Sequence, residues 1–119
     1  MPQPITKSEL PIVQKTYDLI KWYVPILNRL PRDHKFGLGD RMVAILYELL
    51  EALITARYAQ NKLILLEPLS SKLDILQYQT RLLLEFGLIE VSRYEYASRL
   101  LDELGRQLTG WLTQQRTQK

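Results

Sequence analysis

The chain has 119 residues, 46% of them hydrophobic and 24% charged, which is the composition of a single folded globular domain. It contains no cysteine and one histidine, so disulfides, thiolate nucleophiles and multi-histidine metal sites are excluded. The net charge of +3 suits a polyanionic partner, although an excess of this size does not establish one.

The N-terminal residues lack the apolar stretch of a signal peptide. The longest uninterrupted apolar run, Met42 to Tyr47, is far shorter than the ~20 residues that a helix needs to span a bilayer. We therefore expect a soluble cytoplasmic protein that does not associate with membranes.

Apolar residues recur at alternating steps of three and four along four segments, which predicts amphipathic α-helices at about 9–30, 37–60, 66–88 and 92–115. No segment shows the period of two that is typical of a strand. Short connections between long helices make neighbouring helices antiparallel. The predicted fold is all-α: an up-down-up-down four-helix bundle forming one domain over residues 1–119, with flexible termini.

The first predicted helix carries two neighbouring apolar stripes. One consists of Val13, Tyr17, Ile20, Val24 and Leu27. The second consists of Ile12, Leu19, Tyr23, Ile26 and Leu30. Together they form a wider apolar arc than one bundle core requires. The second stripe is therefore either extra core surface or a subunit interface, and we assign it as the candidate interface of a homo-oligomer.

Each of the other three helices has a single core stripe. The predicted core residues are Met42, Leu46, Leu49, Leu53 and Ala56, then Leu69, Leu73, Leu76, Thr80 and Leu83, then Ala97, Leu101, Leu104, Leu108 and Trp111. Pro31 is expected to end the first helix, and Pro68 to lie in the first turn of the third. Gly105 and Gly110 lie inside the fourth helix, where each costs about 1 kcal/mol relative to alanine. Either close helix packing or a docking partner would explain them.

A charged segment, PRDHKFGLGDR, occupies residues 31–41 between the first two helices. It contains no phosphate-binding loop, and no serine is placed near His34. Glu48 and Glu51 share a helix face, but paired carboxylates on a bundle surface are usually only solvated. We therefore predict no enzymatic activity, no metal and no cofactor. The segment is either only a turn or a basic surface at one end of the bundle. The candidate nucleic-acid or partner-binding residues are Arg29, Arg32, His34, Lys35 and Arg41, together with Arg57, Lys62 and Arg81 elsewhere on the bundle.

The cations do not alternate with aromatic residues in the pattern typical of single-strand stacking platforms. Binding to RNA or DNA is therefore expected to occur through phosphates and to be nearly independent of sequence.

Three motifs resemble those of Avd proteins, the accessory variability determinants of diversity-generating retroelements. Residues 31–41 resemble the pattern P-R-x-(H/E)-basic-aromatic-x-L-G-x-R, and residues 101–111 resemble L-D-E-(I/L)-G-R-x-L-x-G-W. Residues 62–82, with KLILL followed by LDIL and RL, resemble the third helix of that family. The likeness covers about residues 20–112.

The resemblance implies a helical bundle that assembles as a homopentameric barrel. It further implies binding to the retroelement's reverse transcriptase and to nucleic acid during mutagenic retrohoming, without catalysis by the accessory protein itself. The alternative is a general nucleic-acid-binding bundle of the related 23S rRNA intervening-sequence type, with no polymerase partner. Those proteins tend to carry I-P-x-N-I-A-E-G in the second helix, whereas residues 49–57 read LLEALITAR. A purely structural oligomerisation module is the third possibility.

Overall fold

The computed structural model describes residues 9–117, with side chains from Pro11 onward. Four long helices run through this range: α1 (Glu9–Asn28), α2 (Asp40–Tyr58), α3 (Lys62–Glu85) and α4 (Val91–Thr117). Within it there is no strand, which confirms the all-α prediction. The prediction of flexible termini concerns residues 1–8 and 118–119, which lie outside the described residues.

The helices form a four-sided bundle about 46 Å long. α1 packs against α2 and α4, and α3 packs against the same two helices. Consequently α1 and α3 lie on a diagonal, and their outward faces point in opposite directions. This confirms the four-helix bundle predicted from the periodicity.

α3 begins at Lys62, four residues before the predicted start. Pro68 therefore lies inside the helix instead of in its first turn. Its ring is exposed on the outer face, where the backbone carbonyl that loses its hydrogen-bond partner can bond to water. Pro25 lies inside α1 in the same way, on an exposed position.

The charged segment is helical, not an open loop. One turn at Arg32–His34 runs into a π-helical turn at Lys35–Gly39, which continues directly into α2. The backbone N–H of Asp40 donates to the carbonyl of Lys35, five residues back, as a π-turn requires. The second helical segment thus starts several residues before the predicted residue 37.

Gly39 allows this π-turn to pack closely against the end of α1. A Cβ atom at Gly39 would lie 3.3 Å from Leu30 Cδ1 and 3.4 Å from the carbonyl oxygen of Leu27. At Gly37 a Cβ atom would meet nothing within 4 Å. Of the two glycines, only Gly39 is required by this close approach.

The core contains every residue of the three single stripes predicted for the second, third and fourth helices. In α1 the core takes residues from both stripes, since Ile20 and Leu27 of the first stripe are also buried. Ile12, Leu19 and Tyr23 are at most 1% exposed and Leu30 is 7% exposed, so these side chains are buried in the core of the chain itself.

The prediction that the second stripe forms an oligomer interface therefore needs correction. Ile12, Leu19, Tyr23 and Leu30 present no surface to another subunit, because α2, α3 and α4 already cover them. Ile26 is half-buried and also packs against the core. Among the described residues of α1, the exposed large apolar side chain is Tyr17, in the first stripe.

A buried hydrogen bond crosses the bundle diagonal between α1 and α3. The hydroxyl groups of Tyr23 and Thr80 lie 2.8 Å apart, and both side chains are fully buried. Burial raises the pKa of Tyr23 to about 12, and the hydrogen bond to Thr80 only partly offsets this shift. Because the two groups satisfy each other, they can sit in an otherwise apolar core.

Tyr23→Phe should lower the free energy of unfolding by about 1–3 kcal/mol, because it leaves the Thr80 hydroxyl buried without a partner. Adding Thr80→Val should recover part of this decrease, and urea denaturation followed by circular dichroism measures both. The folded-state pKa of Tyr23 lies above its ordinary value of 10.0. The contribution of the protonated Tyr23 hydroxyl to the free energy of unfolding is therefore complete below pH 10 and is lost as the pH rises from 10 to about 12. The decrease in stability over this pH range should be smaller in Tyr23→Phe. Unchanged stability in the single variant would show that the hydrogen bond contributes nothing.

Gly105 and Gly110 are not explained by packing within the chain. A Cβ atom at either position would meet nothing within 4 Å. We expect Gly105→Ala and Gly110→Ala each to raise the free energy of unfolding by about 1 kcal/mol, because alanine is the better helix former. Gly39→Ala is the control at a crowded position, and it should raise the free energy of unfolding by less. If neither α4 variant stabilises the assembled protein, the glycines would have to be required by a contact with another chain.

Candidate nucleic-acid interface

A shallow depression lies at the end of the bundle where α1 ends and the charged segment begins. It is lined by Asn28, Arg29, Leu30, Arg32, Lys35 and Phe36, and we call it the basic depression. Three of these six residues are cationic, and no carboxylate from the described residues lines it. Its volume is about 650 Å³.

The chain reversal after α1 brings these residues together. The N–H groups of Arg29 and Leu30 bond to carbonyls three residues back, which tightens the last turn of α1. Pro31 is extended, with ψ near 148°, and turns the chain toward α2. Its carbonyl then accepts hydrogen bonds from the N–H groups of His34 and Lys35, at 2.9 and 2.8 Å. Arg29 and Arg32 therefore lie on either side of one sharp turn.

Phe36 is the aromatic residue among the six that line the depression, and it is 63% exposed. The Lys35 ammonium nitrogen is 5.3 Å from the ring centroid, and the Arg32 guanidinium carbon is 6.0 Å from it. Both distances fall within the range of cation–π attraction. The ring and two of the three cations thus form one compact group.

Three of the predicted binding residues, Arg29, Arg32 and Lys35, converge in the basic depression. His34 does not line it: its ring stacks on Phe86, with centroids 5.5 Å apart, at the end of α3. Arg41, the second residue of α2, is exposed and also lies outside the lining.

Lys62 has a structural role at the opposite end of the bundle. Its ammonium group donates hydrogen bonds to the carbonyls of Ala56, Arg57 and Ala59, at 2.7, 2.8 and 3.2 Å. These carbonyls belong to the C-terminal end of α2, which Lys62 therefore caps. The guanidinium of Arg57 lies 5.3 Å from the Tyr58 ring centroid at the same end. Neither cation is near the basic depression.

Arg81 lies close to the end of α3, at the same end of the bundle as the depression. Its Nε donates to Glu85 Oε2 at 2.8 Å, and this hydrogen bond raises the pKa of Arg81. Lys72, near the middle of α3, forms an ion pair with Glu48 of α2 at 2.9 Å. A carboxylate therefore accompanies each of these two cations, whereas none among the described residues lines the basic depression.

Phe36 and Asn28 are the lining residues that sequence reasoning did not select as site residues. Phe36 occupies the aromatic position of the Avd-like motif, next to Lys35, and that adjacency was the available signal. The approach of Asn28 from the end of α1 depends on the turn geometry, which the pattern of residues does not reveal.

Comparison with known protein families agrees with this architecture. The profile of a family described as bAvd-like matches residues 10–115. The chain belongs to the bAvd-like family. This confirms the resemblance that the three motifs indicated, and the matched range of the bAvd-like profile includes the entire basic depression. A search of curated proteins finds no match.

Avd proteins are associated with diversity-generating retroelements. Within residues 9–117 of this bAvd-like chain, no helix is sufficiently long and apolar to cross a membrane. Over the same range, no three histidine, cysteine or acidic side chains are grouped so as to hold a metal ion.

Proposed function

We propose that this bAvd-like chain is a non-enzymatic accessory protein of a diversity-generating retroelement, which binds the reverse transcriptase and RNA or DNA during mutagenic retrohoming. Membership of the family supports the retroelement role. The observation that carries the nucleic-acid role is the basic depression, in which Arg29, Arg32 and Lys35 converge without a lining carboxylate. Cations clustered in this way neutralise neighbouring phosphates and release their counterions.

Three phosphate contacts per chain give only weak binding, so a repeated arrangement matters. Each additional engaged cation increases both the affinity and its salt dependence. In a closed ring of five subunits, the depression occurs five times around one end. A polyanion that contacts several copies at once then binds with the sum of their phosphate contacts.

The surface for such a ring lies on the outer face of α3. Apolar side chains recur there at helical spacing, and the exposed ones are Ile64, Ile75, Tyr78, Leu82 and, just after the helix, Phe86. We call this the α3 stripe. Most of it lies between Ile75 and Phe86, with Ile64 about three turns away near the start of the helix. Exposed apolar side chains clustered on one face are typical of an interaction site.

A head-to-tail ring requires two different complementary surfaces on each subunit. Tyr17, which is 50% exposed on α1, supplies the second surface together with the half-buried Val13 and Val24 beside it. α1 lies diagonally opposite α3. In the proposed homopentamer, the α3 stripe of one subunit packs against this α1 surface of the next. The expected mass is 5 × 14.0 = 70 kDa.

Co-expression tests the proposed function directly. The tagged chain is produced together with the reverse transcriptase encoded beside it, and the complex is purified through the tag after nuclease treatment. We expect the polymerase to co-purify, because the contact is between proteins. Nucleic-acid binding without polymerase binding would contradict the retroelement role and favour the 23S rRNA intervening-sequence type. Absence of both activities would leave only a structural module.

A further inference from the structure

We propose that the basic depression binds an unpaired nucleotide of single-stranded RNA or DNA, with its base stacked on Phe36. This inference rests on the nucleic-acid part of the proposed function and specifies the form of nucleic acid that is bound. It replaces the expectation that binding occurs through phosphates alone.

The position of Phe36 is the first observation. Its ring is 63% exposed, although Leu38, two residues later in the same π-turn, packs against the core. Among the described residues, the rings of His34 and Phe86 stack on each other, whereas no ring is seen to stack on Phe36. An exposed aromatic ring of this kind is a platform on which a base can stack, whatever the sequence.

The groups around the ring provide the second observation. Arg32 and Lys35 lie within 6.0 Å of the ring centroid, and Arg29 lines the same depression. A base on the ring would therefore have its flanking phosphates next to cations. Asn28, also in the lining, carries an amide that can both donate to and accept from a base edge. A volume of about 650 Å³ leaves room for a base with its sugar and phosphate.

These features favour a single strand over a duplex. In a duplex both faces of each base are covered by neighbouring bases, so Phe36 would have no face to contact. The cations would still attract duplex phosphates, but the ring would add nothing. An acidic protein segment would likewise use the cations and leave the ring without a specific partner. Only a nucleotide with an unpaired base contacts both the cations and the ring of Phe36.

The test compares labelled single strands of roughly 12 nucleotides, within the range of single-strand site sizes, with a duplex of the same length. Oligothymidylate and oligouridylate serve as the DNA and RNA strands, and fluorescence anisotropy gives their affinities. Phe36→Leu keeps an apolar side chain but removes the ring. It should weaken single-strand binding at least about fivefold, the low end for base–aromatic stacking, and leave duplex affinity and the salt slope unchanged. Phe36→Tyr should retain wild-type affinity.

Arg32→Gln is the matched charge variant, and it should weaken single-strand and duplex binding together. A spectroscopic variant, Phe36→Trp, should show fluorescence quenching by the single strand beyond the quenching of Trp22 and Trp111 in the wild-type protein. If Phe36→Leu affects neither ligand, or both equally, stacking is refuted while nucleic-acid binding stands. The stacking proposal would also be overturned if the wild-type protein bound polyglutamate with the same affinity as the single strand. If the wild type binds neither nucleic acid, the proposed function itself fails.

Discussion

Replacing Arg29, Arg32 and Lys35 together with glutamine should reduce the affinity for RNA and DNA on the order of a hundredfold at physiological salt. The three cations line one depression without a carboxylate, so each can engage a phosphate. The dependence of log affinity on log salt should flatten by roughly one unit for each cation that no longer engages a phosphate. Anisotropy titrations over a range of salt concentrations measure both effects.

Arg41 provides the matched control for this triple variant. It is exposed near the same end of the bundle but does not line the depression, so Arg41→Gln removes the same unit charge without removing a site residue. We expect a much smaller effect on affinity. Because Arg29, Arg32 and Arg41 are exposed, each change should alter the unfolding free energy by no more than about 0.5 kcal/mol. Wild-type affinity and salt slope in the triple variant would show that the charged segment is only a turn.

Tyr78→Glu should convert the proposed pentamer of 5 × 14.0 = 70 kDa into a 14.0 kDa monomer without unfolding the chain. The Tyr78 side chain is 69% exposed in the single chain, so the substitution disturbs no core contact. In the ring it would bury a carboxylate with no partner inside an apolar interface. Light scattering coupled to gel filtration gives the mass. Thr113→Glu places the same charge on an exposed position of α4, away from the α3 stripe, and is the control.

The head-to-tail arrangement also predicts what forms when two interface variants are mixed. Tyr17→Glu alters the other surface and should also give monomers. When the two variants are mixed, the intact α3 stripe of Tyr17→Glu can pack against the intact α1 surface of Tyr78→Glu. The mixture should therefore contain dimers of 2 × 14.0 = 28 kDa and nothing larger. A wild-type monomer at micromolar concentration would rule out the ring, and unchanged monomers in the mixture would rule out these two surfaces as its contacts.

The resemblance to Avd proteins depended on residue identities at fixed spacing, and the structure was not needed for it. The Gly39 position of the Avd-like motif now has a physical reason, since a side chain there would crowd the Leu30 side chain just after the end of α1. Gly105 and Gly110 belong to another of the motifs, yet a side chain at either would meet nothing within the chain. A motif identified from sequence thus contains residues with different physical roles, and only their surroundings distinguish them.

Periodicity alone determined the four helices, the all-α fold and the core stripes of α2, α3 and α4, because in each of these helices one apolar stripe recurs at steps of three and four. It could not decide between the two stripes of α1, which are equally apolar; the packing of the neighbouring helices buried Tyr23 and left Tyr17 outside. The basic depression also depended on tertiary structure. Arg29 lies before a chain reversal and Phe36 lies inside the π-turn that follows it, and contacts made across such a reversal leave no periodic trace in the sequence.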